Sequence, residues 1–314
     1  MLWSKRGLVV QPDQSKWWQQ SHAQCPVMDP VPAAEGLHFV YFSSRDQAGR
    51  SHISRLLFDV KALQPVTEAE LVLTLGKTGC FDDSGVMPAC VLHFKGCCYL
   101  FYIGWMQRVS VPYQNAIGLA QIRADGSLTR LYEGPLFPPL KNEPYFTGTI
   151  HVQQIKDQLI AYYLSCTGWT EGENGKMEPE YNIKIARSED AVNWQRDAQV
   201  AIELNAATEG GLASATVLSR QNQYLMWYCY RGKSQYRENI HESYRIGLAS
   251  SEDGLNWQRQ DQLQSLTLGE QGQWDSQMLA YPNVTQTSEG VIMLYNGNHF
   301  GKHGFGAAVL QGEI

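Results

Sequence analysis

The segment Tyr99-Leu100-Phe101-Tyr102-Ile103-Gly104-Trp105 is a short apolar run anchored on a tyrosine, and it has relatives elsewhere in the same chain. They are Leu37–Arg45 (LHFVYFSSR), Ile160–Trp169 (IAYYLSCTGW), Tyr224–Arg231 (YLMWYCYR) and Val291–His299 (VIMLYNGNH). Their anchoring tyrosines, Tyr41, Tyr102, Tyr163, Tyr228 and Tyr295, are separated by 61, 61, 65 and 67 residues. A nearly constant period of this length marks one supersecondary unit used repeatedly, with each copy burying its apolar face against the next.

Every copy divides in the same way. Upstream of the tyrosine another apolar strand opens, near Pro26, Pro88, Thr149, Ser214 and Pro282. Downstream, past a polar loop, a third runs over His52–Phe58, Ala116–Ile122, Tyr181–Ala186, Tyr244–Ala249 and Phe305–Leu310. In three copies a turn and a fourth, amphipathic strand are expected, and two of these match closely: Ser188-Glu-Asp-Ala-Val-Asn-Trp-Gln-Arg196 and Ser251-Glu-Asp-Gly-Leu-Asn-Trp-Gln-Arg259. Convincing amphipathic helices are missing from the pattern. Three to four antiparallel strands per copy predict an all-β fold, a five-bladed β-propeller forming one domain over residues 1–314. The blades span about 22–60, 81–131, 143–197, 209–260 and 275–310. The last copy runs out before its fourth strand, whereas Leu2–Val10 resembles the Trp-Gln-Arg strands. This N-terminal segment is expected to complete the last blade as a clasp, hiding edges that an open array would expose.

Bulk properties narrow the function. The net charge of -6 and pI near 5.8 argue against a nucleic-acid surface or a basic membrane patch. No stretch approaches the ~20 apolar residues of a membrane span, and the N-terminus has too short an apolar run for a signal peptide. The seven cysteines lie mostly in apolar strands with no Cys-x-x-Cys pair, which predicts reduced, buried thiols and a cytoplasmic protein.

In an antiparallel meander the start of the first strand and the end of the second share one edge, so their polar residues should converge. The first set comprises His22 and Gln24, the adjacent Asp82 and Asp83, then Glu143, Glu209, and Asp275 with Gln277. The second comprises Arg45, Trp105, Gln107, Arg108, Trp169, Tyr181, Arg231, Tyr236, Asn298 and His299. Buried charges are costly unless paired or functional, so Asp82, Asp83, Glu143 and Asp275 read as catalytic, with the first two foremost, and Glu209 as a binding residue. Beside this stands a plainer reading in which one of that pair caps a turn and the other meets an arginine. Acids ringed by Trp, Tyr, Arg and Asn suit a carbohydrate, whose hydroxyls take hydrogen bonds and whose C–H faces stack on aromatics. Arg45, Arg108 and Arg231 hint at an anionic sugar. No fixed His/Cys spacing supports an ion held by His22, His151 or His299 on the axis, and no cofactor is expected.

The five-fold layout, the acids opening inner strands and the Ser-Glu-Asp-x-x-x-Trp-x-Arg segments resemble the propeller glycoside hydrolases of families 32, 43, 68 and 130. That resemblance covers roughly His22 to Leu310. It implies a glycoside or oligosaccharide substrate and carboxylate acid/base chemistry by Asp83 (or Asp82), Glu143 and Asp275. It also implies a catalytic Asp before a proline in the first blade, where this chain has Cys25-Pro26. A non-hydrolytic tailoring enzyme, or a module that only binds a glycan or metabolite, therefore stays open.

Overall fold

The computed structural model describes residues 1–172, 175–220 and 223–312. Each tyrosine-anchored repeat folds as an antiparallel meander with the tyrosine on its second strand. Strand β1 (Leu2–Val10) precedes them. The first meander is β2 (Ser21–Met28), β3 (Leu37–Arg45) and β4 (Ser51–Asp59), with the short β5 (Gln64–Pro65) and β6 (Glu70–Leu73) along β4. The second is β7 (Gly85–Phe94), β8 (Cys97–Gln107), β9 (Tyr113–Ile122) and β10 (Leu128–Arg130). The third is β11 (Thr147–Ile155), β12 (Gln158–Glu171), β13 (Met177–Ser188) and β14 (Val200–Ile202). The fourth is β15 (Glu209–Arg220), β16 (Gln223–Gly232), β17 (Arg245–Ser251) and β18 (Gln258–Arg259). In the last, β19 (Ala280–Thr287), β20 (Gly290–Asn296) and β21 (Phe305–Gln311) are joined by β1, which pairs with β21 from Leu2↔Gln311 to Val10↔Phe305.

The apolar clusters sit between successive meanders. Phe101 and Ile117 meet Ile150 and Tyr163, Ile183 and Ile185 meet Val217 and Met226, and Trp227 and Leu248 meet Val284 and Tyr295. Leu294 and Phe305 of the last meander pack on Val40 and Phe42 of the first, and Tyr41 packs with Tyr102. All five anchoring tyrosines are buried. The first strands β2, β7, β11, β15 and β19 touch one another in that order, and β19 returns to β2. The arrangement is nearly all β and propeller-like.

Each first strand carries a bulge near its start: between Gln24 and Val27, Pro88 and Cys90, Thr147 and Ile150, Ala213 and Thr216, and Ala280 and Asn283. A bulge re-aims side chains and sharpens twist. Cys25, Ser214 and Tyr281 take positive φ at these bulges (53°, 55° and 52°), a conformation that costs non-glycine residues energy and recurs at functional sites.

One expectation needs correcting. The Ser188–Arg196 and Ser251–Arg259 segments are turns rather than strands over most of their length. Asp190 accepts the backbone N–H groups of Val192 and Asn193, and Asp253 those of Leu255 and Asn256, at 2.7–2.9 Å. These bonds, above all the one from Asn193, pull the Asp190 carboxyl down to about 2. Trp194 and Trp257 then bond back to Ala191 and Gly254, and the chain leaves the turn on Arg196 and Arg259. The alternation of apolar and polar residues mimicked a strand, but short side chains satisfying their own backbone decided the outcome.

Candidate functional site

The acids come first, because the structure gives them a common environment. Glu143 is buried and accepts hydrogen bonds from Tyr163 Oη (2.8 Å), Ser165 Oγ (2.9 Å), Lys184 Nζ (3.0 Å) and Arg196 Nε (2.8 Å). Asp82 is equally buried, held by Tyr102 Oη (3.1 Å) and Arg130 Nε (2.8 Å). Asp275 is held by Tyr295 Oη (2.9 Å) and by Lys5 Nζ (2.6 Å), which reaches in from β1. Glu209 pairs with Arg259 (2.6 and 2.7 Å), and Tyr228 reaches the same arginine through Asp261. Each acid is thus clamped between the anchoring tyrosine or its relay and a cation from the outer edge of the same meander. Asp83 accepts Gly79 N–H and Ser84 Oγ–H, capping the turn. Before the first meander, the buried Gln19 accepts Asp13 N–H.

None of Asp82, Asp83, Glu143, Glu209 or Asp275 lines the central cavity. They lie in the approach to the first strand or at its first residue, and the cavity begins only where the strand bulges. The sequence expectation that the acids converge there is therefore corrected by their placement. The residues that the first strands present to the cavity are His22, Gln24 and Cys25, then Met87, Gly148 and Thr149, Ala213, and Tyr281.

The cavity has a volume of about 560 Å³ and receives residues from every meander. That falls in the range of small-molecule sites, roughly 300–1,000 Å³. Of the expected residues, His22, Gln24, Arg45, Trp105, Gln107, Tyr181 and Tyr236 line it. Arg108 is exposed outside it. Trp169 packs behind the wall on Tyr113 and Phe146. Arg231 is buried in a second layer, bonded to Tyr181 Oη (2.8 Å) and lying 3.9 Å from the Tyr236 ring centre. Gln277 and Asn298 stand apart, with Asn298 Oδ1 accepting the Gln277 and Met278 N–H groups, while His299 lies outside the lining but meets His22 through its backbone. Sequence reasoning missed Tyr113, Phe146, Glu178, Tyr244, Tyr281 and Phe300 as cavity residues; their signal was position, since most sit beside the loops that follow second strands.

Electrostatics divide this cavity into two sides. On one, Arg45 Nε donates to Gln24 Oε1 (3.1 Å), and among the described residues no carboxylate lies within ion-pair distance of its guanidinium. His22, hydrogen-bonded to Ser21, is pushed down to about 3 by burial and by the charges of Arg45 and Lys302, so it is a neutral imidazole. Burial pushes the Cys25 thiol up, which keeps it protonated and a poor nucleophile. On the other, Glu178 is buried, with Arg237 Nη1 bridging both its oxygens (2.8 and 3.0 Å), and the exposed Glu238 also lines the cavity. Burial first, with neighbouring tyrosines, raises Tyr113, Tyr236, Tyr244 and Tyr281, so their hydroxyls remain neutral hydrogen-bonding groups. Trp105 is fixed by donating to Ser51 Oγ (2.8 Å), and a side chain at Gly85 would collide with it.

No protein-family model matches the chain. Two proteins of Mycobacterium tuberculosis, uncharacterized protein MT1551 (strain CDC 1551 / Oshkosh) and uncharacterized protein Rv1502 (strain ATCC 25618 / H37Rv), are each 32% identical over 314 residues, covering 99% of this chain and 100% of their own. Among solved structures, a glycoside hydrolase superposes with a TM-score of 0.71 at 16% identity, covering 99% of this chain and 94% of its own. A thermostable family-43 glycoside hydrolase gives 0.65 at 16% identity (92% and 88% covered). Zg3597, a family 117 glycoside hydrolase of Zobellia galactanivorans, gives 0.63 at 13% identity (98% and 89% covered). The chain therefore shares its fold with these glycoside hydrolases.

Proposed function

This chain belongs to the family of the uncharacterized mycobacterial proteins MT1551 and Rv1502, and we propose that it is a carbohydrate-active enzyme whose substrate is a glycoside or sugar metabolite bearing an anionic group. In this reading the meanders are the five blades of a closed propeller, with β1 completing the last. The observation that carries the proposal is Arg45, which lines the cavity beside aromatic rings and has no carboxylate partner among the described residues. A guanidinium without a carboxylate partner is suited to a carboxylate or phosphate on the ligand, with neutral His22 and Gln24 completing the grip. Trp105, Tyr113, Phe146 and Phe300 offer rings to the apolar sugar face.

Glycoside transfer needs a proton donor for the leaving oxygen and a base, nucleophile or charge stabiliser. Glu178 and Glu238 are the acids among the described cavity residues, and we assign those roles to them. Asp82, Asp83, Glu143, Glu209 and Asp275 are assigned to the frame of the blades. The unpaired cysteines fit a reducing compartment such as the cytoplasm.

A panel of neutral, uronic-acid and sugar-phosphate glycosides tests the proposal with the wild type, Glu178→Gln and Glu238→Gln. Turnover of an anionic member, lost in the Glu variants while binding persists, supports it. Binding without turnover by the wild type overturns the enzymatic assignment and leaves a receptor.

A further inference from the structure

Far from the cavity, at the other ends of β2 and β7, three residues of the first two meanders bring metal-binding atoms together. Asp29 directly follows β2, His93 lies near the end of β7, and Cys98 opposes His93 across the β7–β8 hairpin. His93 Nε2 lies 2.7 Å from Asp29 Oδ1 and 3.5 Å from Cys98 Sγ, and all three donor atoms fall within 4.8 Å of one another. A proton relay would use the two different ring nitrogens of a histidine. Here a carboxylate and a thiol converge on the same nitrogen, as donors do when they face a common point. Ligands around a tetrahedral zinc, each ~2.0–2.3 Å from it, stand roughly 3.3–3.8 Å apart, so small side-chain adjustments would suffice.

The surroundings favour a site that is both held and reachable. Asp29 is fixed by Val31 N–H donating to its Oδ1 (2.9 Å) and by its carbonyl bonding buried His38 Nδ1 (2.8 Å). Its side chain is 9% exposed whereas that of His93 is 37% exposed, which leaves a path for an ion.

We propose that Asp29, His93 and Cys98 bind one zinc ion, with water in the fourth position, tying the first meander to the second. The donor set of one oxygen, one nitrogen and one sulfur suits zinc and excludes magnesium or calcium as the preferred ion. Binding forms a Zn–S bond and releases the Cys98 thiol proton to solvent, so affinity rises with pH.

The test is titration of EDTA-treated protein with Co²⁺, followed by displacement with Zn²⁺. One equivalent of Co²⁺ should give tetrahedral ligand-field bands and a thiolate-to-cobalt charge-transfer band, and zinc should abolish both. Cys98→Ser should lose the charge-transfer band. Cys98→Ser and the more exposed His93→Gln should each weaken zinc binding by at least the roughly 10–100-fold seen when a group that merely orients a ligand is removed. Cys97→Ser, at the neighbouring thiol, should change neither, and circular dichroism without metal establishes that each variant is folded. A wild type without a thiolate band overturns the proposal, as does a band that survives Cys98→Ser or disappears in Cys97→Ser.

Discussion

Tyr163 donates its hydroxyl hydrogen to Glu143, the residue twenty positions earlier in the chain, at 2.8 Å. The same twenty-residue interval joins Tyr102 to Asp82 and Tyr295 to Asp275. In each case a cation from the outer edge closes the clamp: Arg196, Arg130 and Lys5. A bond repeated at constant spacing belongs to the repeating frame of the fold. Chemistry on one substrate, by contrast, requires the meanders to differ, and they differ in the cavity.

Removing Glu143 should cost stability heavily. Its partners Lys184 and Arg196 have side chains only 9% and 4% exposed, so Glu143→Gln strands two buried cations. Breaking such a group costs about 3–5 kcal/mol. Urea unfolding should show a lower midpoint with unchanged slope. A midpoint equal to that of the wild type contradicts the clamp.

The pH dependence follows from groups kept in one protonation state by folding. His22 and His151 are pushed from 6.5 down to about 3 and about 4, in both cases mainly by burial. The unfolded chain therefore takes up protons first, and this part of the stability is complete above pH 6.5 and declines as pH falls toward 3–4. Burial alone would raise Glu143, but Arg196, Lys184 and Tyr163 together hold it below its ordinary 4.5, adding a second loss below that pH. Thermal melts should show a Tm that is level above about pH 7 and falls in both windows, and His22→Gln should flatten the upper one. A Tm that rises on acidification from pH 6.5 to 5 rules this account out.

The N-terminal strand should be indispensable. Trp3 is buried edge-on against Trp227 with ring centres 5.8 Å apart, and Lys5 on the same strand pairs with Asp275. Trp3→Ala should destabilise by about 3–5 kcal/mol, and deleting residues 1–11 should expose the β21 edge and cause aggregation. Equilibrium unfolding and light scattering read the two effects. A truncated chain that stays monomeric and as stable as the full one refutes the role of β1.

Arg45 should select charge rather than sugar. Hydrogen bonds to charged groups contribute about 1.5–3 kcal/mol, so Arg45→Gln should weaken binding of anionic ligands about 10–100-fold. Neutral analogues should bind about equally to both proteins. Calorimetry over the glycoside panel measures the difference, and equal weakening for neutral and anionic members excludes the charge-specific role.

Much of the fold was legible because a repeat fixes it many times over. The tyrosine period located the second strand of every meander, and the Trp3-Ser4-Lys5 likeness to Trp194-Gln195-Arg196 located the strand that joins β21. The cavity wall was partly legible too: Arg45, Trp105, Gln107, Tyr181 and Tyr236 were named from the ends of second strands and the segments after them. The acids were visible but misplaced. Adjacency to a buried strand does not say which way a carboxylate points, and the bulges that carry Cys25, Thr149 and Tyr281 into the cavity leave no sequence mark. The twenty-residue interval from acid to tyrosine was the available clue. Glu178 was hidden for another reason: its burial depends on Arg237, nearly sixty residues away.

The separation of frame from site is tested most directly by kcat/KM per folded molecule on the best anionic glycoside, compared between Asp275→Asn and Glu178→Gln. Asp275→Asn should lower Tm yet keep kcat/KM within a few-fold of the wild type. Glu178→Gln, which frees only the partly exposed Arg237, should lower Tm less and lose about 100-fold or more in kcat/KM, the scale of a lost acid/base group. The reverse pattern, with activity abolished in a stable Asp275→Asn and retained in Glu178→Gln, would contradict the account and return catalysis to the clamped acids.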